Sequence, residues 1–194
     1  EFIRSLRGIW TRDNFTFRGD FYRYSDYTLK PKPVDPLPEI FQGGSSRAAR
    51  DMAARVSDWY FTNGNTPENI RVQVDDVRQK AAAEGRSVKI GVNAFVIARD
   101  TEEEAVAYRD KYVKEKGDWQ GVRNLLDTLV PNSESALGDG WESMAANLIA
   151  GYGAIPLVGT ADQVVAGMQQ FSDAGLDGIS ISWVDYLAGL DQFN

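Results

Sequence analysis

Five residues, Gln42-Gly43-Gly44-Ser45-Ser46, join the end of a short apolar run at Glu39 to Gln42 to the start of an amphipathic stretch at Ser45 to Arg55. A glycine pair leading from a parallel strand straight into a helix leaves the first backbone N–H groups of that helix unpaired and pointing outward. The helix dipole adds positive potential at the same place, so the turn can seat an anion, above all a phosphate. Gly43 and Gly44 allow close approach to the backbone, Ser45 and Ser46 offer hydroxyl donors, and Arg47 or Arg50 adds charge if either turns toward the mouth. The plainer reading is a tight turn with a serine N-cap and no ligand. The spacing matches neither G-x-G-x-x-G nor G-x-x-x-x-G-K-[ST], so the dinucleotide and P-loop fingerprints are absent.

Composition narrows the chemistry further. The 194 residues contain no Cys and no His. That excludes disulfides, zinc-cysteine and iron-sulfur sites, thiol nucleophiles and every Ser-His-Asp triad, and it removes the commonest general base. No metal site is expected, no catalytic residue can be named, and a bound cofactor or another segment must supply most of any reaction. The net charge of -7 without a basic block argues against nucleic acid. No apolar run approaches the ~18 residues of a membrane helix and no signal peptide opens the chain, so a soluble, cytoplasmic protein is expected.

The elements that position the turn follow a strand-helix rhythm. Phe2, Ile3, Leu6 and Ile9 lie at helical spacing from the first residues, so the chain opens inside an element and is expected to be part of a longer protein. Phe15 to Tyr24 reads as a packed excursion turning at Arg18-Gly19-Asp20. Four of the seven prolines then fall between Pro31 and Pro38 in an irregular connection. Strands are expected at Glu39 to Gln42, Asp58 to Phe61, Val88 to Ala98 and Gly178 to Trp183. The helix from Ser45 to Arg55 is expected to bury Ala48, Ala49, Met52, Ala53 and Val56. Thr66 and Pro67 open a helix burying Ile70, Val74, Val77 and Ala81, Thr101 caps an acidic one, and Thr160 to Gln163 forms a capping box before Val164, Val165, Met168 and Phe171. Residues 117–153 break the rhythm as an insertion with helices near Gly121 to Leu129 and Trp141 to Ala150. Four parallel strands with helical crossovers fit either a doubly wound sheet or about half of a (β/α)8 barrel.

The succession LRGIWT (Leu6 to Thr11), FTFRGDFY, LKPKPVDPLPEIFQGGSSRAARDMAARVSDWYF and the closing IPLVGTADQVVAGMQQFSDAGLDGISISW resembles the bacterial luciferase-like flavin monooxygenases. Within that superfamily, DMAARVSDWYFTNGNTPENI and VKIGVNAFVIARDTEEEA are most similar to the sulfone-oxidising branch. The resemblance spans the whole chain but only the later half of such a protein. It implies that residues 1–194 are the C-terminal part, about four βα units, of one α/β (β/α)8 TIM-type barrel domain, with 117–153 as an insertion and candidate mobile lid. A static insertion or an oligomer contact is the alternative for that segment.

The resemblance also implies reduced FMN as cofactor, O2 as oxidant, a separate NAD(P)H-dependent flavin reductase, and a homo-oligomer of the full-length protein. The implied reaction is oxidation of a small organosulfur compound, dimethyl sulfone, to methanesulfinate with release of formaldehyde. By position it carries the flavin phosphate onto Gly43, Gly44, Ser45 and Ser46, with Gln42 near the ribityl chain or ring. Related alkanesulfonate enzymes carry a His where this chain has Phe95 and an Arg where it has Ala150 or Gly151. Losing both suits a neutral sulfone better than an anionic sulfonate. Asn93 and Trp183 complete the expected substrate pocket, while core packing is the plain alternative for Phe95 and Trp183. An alkanesulfonate enzyme and a non-catalytic flavin-binding or structural half-barrel remain the other readings.

Overall fold

A computed structural model describes residues 1–64 and 66–193. Helix α1 (Phe2–Thr11) leads into the hairpin β1 (Phe15–Arg18) and β2 (Arg23–Tyr27), which forms a small antiparallel sheet. The parallel sheet begins at β3 (Phe41–Gly43), followed by α2 (Arg47–Val56), β4 (Trp59–Thr62), α3 (Pro67–Ala83) and β5 (Lys89–Ala98). Then come α4 (Glu102–Asp110), a π-helical turn at Lys111–Glu115, α5 (Trp119–Leu129), α6 (Ser133–Leu137) and α7 (Gly140–Gly151). Strand β6 (Ile155–Gly159), α8 (Ala161–Asp173), β7 (Gly178–Ser182) and α9 (Tyr186–Phe193) complete the described chain.

The four expected strands are β3, β4, β5 and β7, and each pairs in parallel with the next, giving an arc in that order. A fifth strand, β6, was not expected. Pro156 removes one ladder donor from it, which an edge strand tolerates, and β6 pairs with β5 alone. Strand β5 holds β4 along Lys89 to Val92 and β6 along Ala94 to Ala98, whereas β7 runs along Gly91 to Phe95. Because β7 overlaps both ranges, β4 and β6 must lie end to end on the opposite edge. The ten-residue length of β5 is what makes room for both.

Alternation divides the sheet into two faces. Tyr60, Ile90, Val92, Ala94 and Val96 point to the helix layer, where they pack with Ala53, Ala54, Ile70, Val74, Val77, Val164 and Phe171 in one continuous core. Five of the residues expected inward do not join it: Ala48, Met52 (43%) and Val165 (64%) are exposed, and Ala49 and Val56 are half-buried outside the cluster. In α2 the reason is electrostatic. Arg50 pairs with Asp76 at 2.9 Å and Asp51 with Lys80 at 2.6 Å, both on α3, and this pins the face carrying Ala53 and Ala54 inward.

Asp58, just ahead of β4, ties α1 to the sheet. It accepts from Arg7 at 2.7 and 2.8 Å and from the Ile40 N–H at 2.9 Å. Partial burial pushes its pKa up, but the hydrogen bonds from Ile40 and Arg7, with the charges of Arg7 and Arg86, outweigh this and hold the carboxyl below its ordinary value. Residues 117–153 build a second core from Val122, Leu126, Trp141 and Ala145. The fully buried Ser133 closes it, donating to Asp127 at 2.7 Å and accepting from the Trp141 indole at 3.0 Å. Among the described residues, no helix is long and apolar enough to cross a membrane.

Candidate functional site

The turn at 43–46 sits at the C-terminal end of β3 with all four residues exposed, and it runs into α2. Ser46 is the N-cap, and its hydroxyl oxygen accepts the Ala49 N–H at 3.2 Å. Gly44 has φ +129, which L side chains rarely adopt, and a Cβ there would lie 2.9 Å from the Ala49 Cβ. Helices α3, α4 and α8 each carry acid in their first turns, at Glu68, at Glu102 to Glu104 and at Asp162; α2 carries none. The positive end of its dipole is therefore not neutralised by its own first turn. Arg47, 87% exposed and only 3.9 Å from Asp51, stands beside it, whereas Arg50 is held by Asp76. The Gly44 N–H is spent on the Phe61 carbonyl at 3.3 Å, but the acid-free first turn of α2 and a side-chain-free approach fit a phosphate group.

Gln42 has a different place from the one the sequence suggested. Its carboxamide turns to the helix layer, where Nε2 donates to the Ala49 carbonyl at 2.9 Å and Oε1 accepts from the Ser57 hydroxyl at 2.9 Å. One side chain thus fastens the strand to the first turn of α2 and to its C-cap. Gln42 shapes the turn rather than lining its mouth.

The other face of the sheet is open. Phe41 stacks on Trp59 with ring centroids 5.2 Å apart, the Lys89 ammonium lies 5.1 Å from the Trp59 ring, and Glu39 accepts from both Lys89 (2.7 Å) and the Trp59 indole (2.8 Å). This charged group occupies the N-terminal end. Toward the C-terminal end the face presents Gly43, Phe61, Gly91, Asn93, Ser180 and Ser182, with no ionisable side chain among the described residues. The Phe61 ring lies over Gly91, leaving 3.2 Å for a Cβ there. Asn93 is exposed beside its register partner Ser180, also exposed. Ser180 was missed from sequence, although the alternation of Ile179 and Ile181 with Ser180 and Ser182 carries the signal.

Phe95 lies on this same face but is only 3% exposed, covered with Ile97 by Ala105, Tyr108, Tyr112, Ala150 and Ala154. A Cβ at Gly151 would run into the Phe95 ring. The Tyr112 hydroxyl donates to the Ala150 carbonyl at 3.1 Å, and desolvation raises its pKa. The end of α7 is thereby seated on β5. Trp183 is not brought to this group. It follows the parity of Ile179 and Ile181 toward the helix layer, and Gly189, Tyr186 and Phe193 of α9 pack against it. The structure thus gathers the turn 43–46, Asn93 and Phe95 at the C-terminal end of the strands.

Residues 1–178 match the sequence model of the luciferase-like monooxygenases, and the chain belongs to that family. It is 52% identical over its whole length to an FMNH(2)-dependent dimethylsulfone monooxygenase of Pseudomonas putida, spanning 54% of that protein. It is 66% identical over 72% of its length to the enzyme of the same name from Pseudomonas fluorescens (strain Pf0-1), spanning 34% of that protein. The chain thus spans about half or less of the curated relatives it matches. Among solved structures, DmoA from Hyphomicrobium sulfonivorans superposes with a TM-score of 0.80 at 20% identity, over 95% of this chain and 46% of that one. The long-chain alkane monooxygenase LadA superposes with a TM-score of 0.76 at 21% identity, over 93% and 44%. The sheet and its helices are therefore an arc of the luciferase-like barrel.

Proposed function

We propose that this chain supplies the flavin-phosphate seat and one wall of the substrate pocket in an FMNH2-dependent monooxygenase that converts dimethyl sulfone to methanesulfinate and formaldehyde. The observation that carries the reading is the acid-free, glycine-lined N-terminus of α2, which opens beside a charge-free stretch of sheet. Whole-length identity to a dimethylsulfone monooxygenase supports it. Reduced FMN, delivered by a separate flavin reductase, supplies two electrons to O2. One oxygen atom enters the substrate and the other leaves as water.

The chain's own residues have narrower tasks. Ser45 and Ser46 present N–H and hydroxyl donors to the phosphate, Gly43 and Gly44 keep the approach free of side chains while the Gly44 N–H donates to the Phe61 carbonyl at 3.3 Å, and Gln42 holds that turn against α2. Asn93 faces the reacting region, and Phe95 forms its apolar boundary beneath α7. Residues 117–153, with their own small core, seated on β5 through Gly151 and Ala150 and on the turn Lys111–Glu115 through the Trp119 indole, which donates to the Val113 carbonyl at 3.1 Å, act as the lid that excludes water. The working protein is a homo-oligomer in the cytoplasm.

The test is turnover by the complete polypeptide with a flavin reductase, comparing dimethyl sulfone with methanesulfonate and following formaldehyde. Preference for the sulfone is expected. Preference for the sulfonate would favour the alkanesulfonate reading, which requires a cation that this stretch of sheet does not provide.

A further inference from the structure

We propose that Asn93 and Ser180 together form a donor pair that binds the oxygens of a small neutral substrate of the sulfone type, an inference that rests on the monooxygenase reading above. Asn93 of β5 and Ser180 of β7 are register partners on adjacent parallel strands, so their side chains leave the same face about 4.8 Å apart. Both are exposed, and neither side chain has a hydrogen-bond partner among the described residues. The nearby Ser182 differs: its hydroxyl donates to the Ala94 carbonyl at 3.3 Å. The two free polar groups are thus singled out from a third that is spoken for.

Their surroundings define the ligand. One step toward the N-terminal end of β5 the Phe61 ring covers Gly91, and one step toward the C-terminal end stands Phe95, each about 6.6 Å along the strand from Asn93. The Phe61 ring on one side and the covered, apolar corner at Phe95 on the other leave room beside the donor pair for a compact molecule with methyl groups on the outside and strong, uncharged acceptor oxygens between them. The nearest charges on this face, Lys89 and Glu39, neutralise each other at 2.7 Å at the far end. An anion would be desolvated here without a counter-charge, whereas a sulfone oxygen needs only the two donors. Ser180 becomes a specificity residue through this pairing, and Asn93 gains a defined partner.

The experiment measures KM for dimethyl sulfone and Kd for FMN in the complete polypeptide carrying Ser180→Ala, Asn93→Ala or Ser180→Thr. Loss of one neutral hydrogen bond predicts that KM rises about five- to tenfold in each alanine variant, with FMN affinity unchanged and Ser180→Thr close to wild type. An unchanged KM overturns the proposal. So does a fall in FMN affinity alone, which would assign the pair to a flavin carbonyl. If the wild-type protein does not turn over dimethyl sulfone, the activity reading fails by itself. The pair is then judged by titrating the protein with dimethyl sulfone and following the Asn93 side-chain amide by NMR: a shift abolished by Ser180→Ala supports it, and no shift refutes it.

Discussion

Helices α2 and α8 both follow a parallel strand and both start at a hydroxyl N-cap, yet they treat their positive ends in opposite ways. In α8 the Thr160 oxygen accepts the Gln163 N–H at 3.3 Å, and Gln163 Oε1 returns to the Thr160 N–H at 2.8 Å, a closed box with Asp162 in the first turn. In α2 the position of Gln163 is taken by Ala49, so Ser46 caps one amide and no side chain reaches back. One terminus is satisfied by its own sequence. The other is not closed by its own side chains, and two glycines keep its approach clear.

The sharpest way to break this contrast is Gly44→Val. The φ of +129 and the close Ala49 Cβ predict strain of about 1–3 kcal/mol, expressed as a ten- to hundredfold loss of FMN affinity in a fluorescence titration. Unchanged affinity would remove the turn from the cofactor site. Next in size is an added acid. Ala48→Glu in the first turn of α2 should stabilise the helix by about 0.3–1 kcal/mol and yet weaken FMN binding about tenfold, because the carboxylate competes with phosphate. Ala161→Glu, placed at the corresponding end of α8, should leave FMN binding unchanged. If both behave alike, the two termini are not functionally distinct.

Removing the caps sharpens the comparison at lower amplitude. Ser46→Ala and Thr160→Ala should each cost about 1 kcal/mol in denaturant unfolding, with FMN affinity altered only by the first. The smallest effect concerns the other end of α2, where Asp58 follows the C-cap. Its folded pKa lies below the unfolded value, so its contribution is present above the ordinary carboxylate range and is lost as pH falls through the lowered pKa. Asp58→Asn should flatten that acid limb of the stability profile, and an unchanged limb would assign the acid sensitivity elsewhere.

Much of this contrast could be read in advance. T-x-x-Q before an apolar period announced the closed box, and Gly-Gly-Ser before RAAR announced the open cap, because caps are local and their side chains reach only three residues. The strand-helix rhythm was legible for the same reason. What escaped depends on distant partners. The inward face of α2 is set by ion pairs from Arg50 and Asp51 to α3, so Met52 turns outward despite its helical spacing. Strand β6 hid behind Pro156, which is acceptable only because that strand is an edge. Gln42 is polar at a strand end, and only the fold shows that Ala49 and Ser57 claim it. Trp183 went to the helix layer because α9 covers it, although counting from Ile181 gives the same answer.

The contact between Gly151 and Phe95 has a consequence for how such a pocket can change over generations. With no room for a Cβ at 151 while the ring occupies 95, a longer residue at 151 becomes tolerable only after 95 has shrunk or turned. Shrinking 95 alone opens a void beneath α7. The two positions form a single epistatic unit: libraries that vary either alone should return only losses, and new substrate preferences at this corner should emerge from paired replacements.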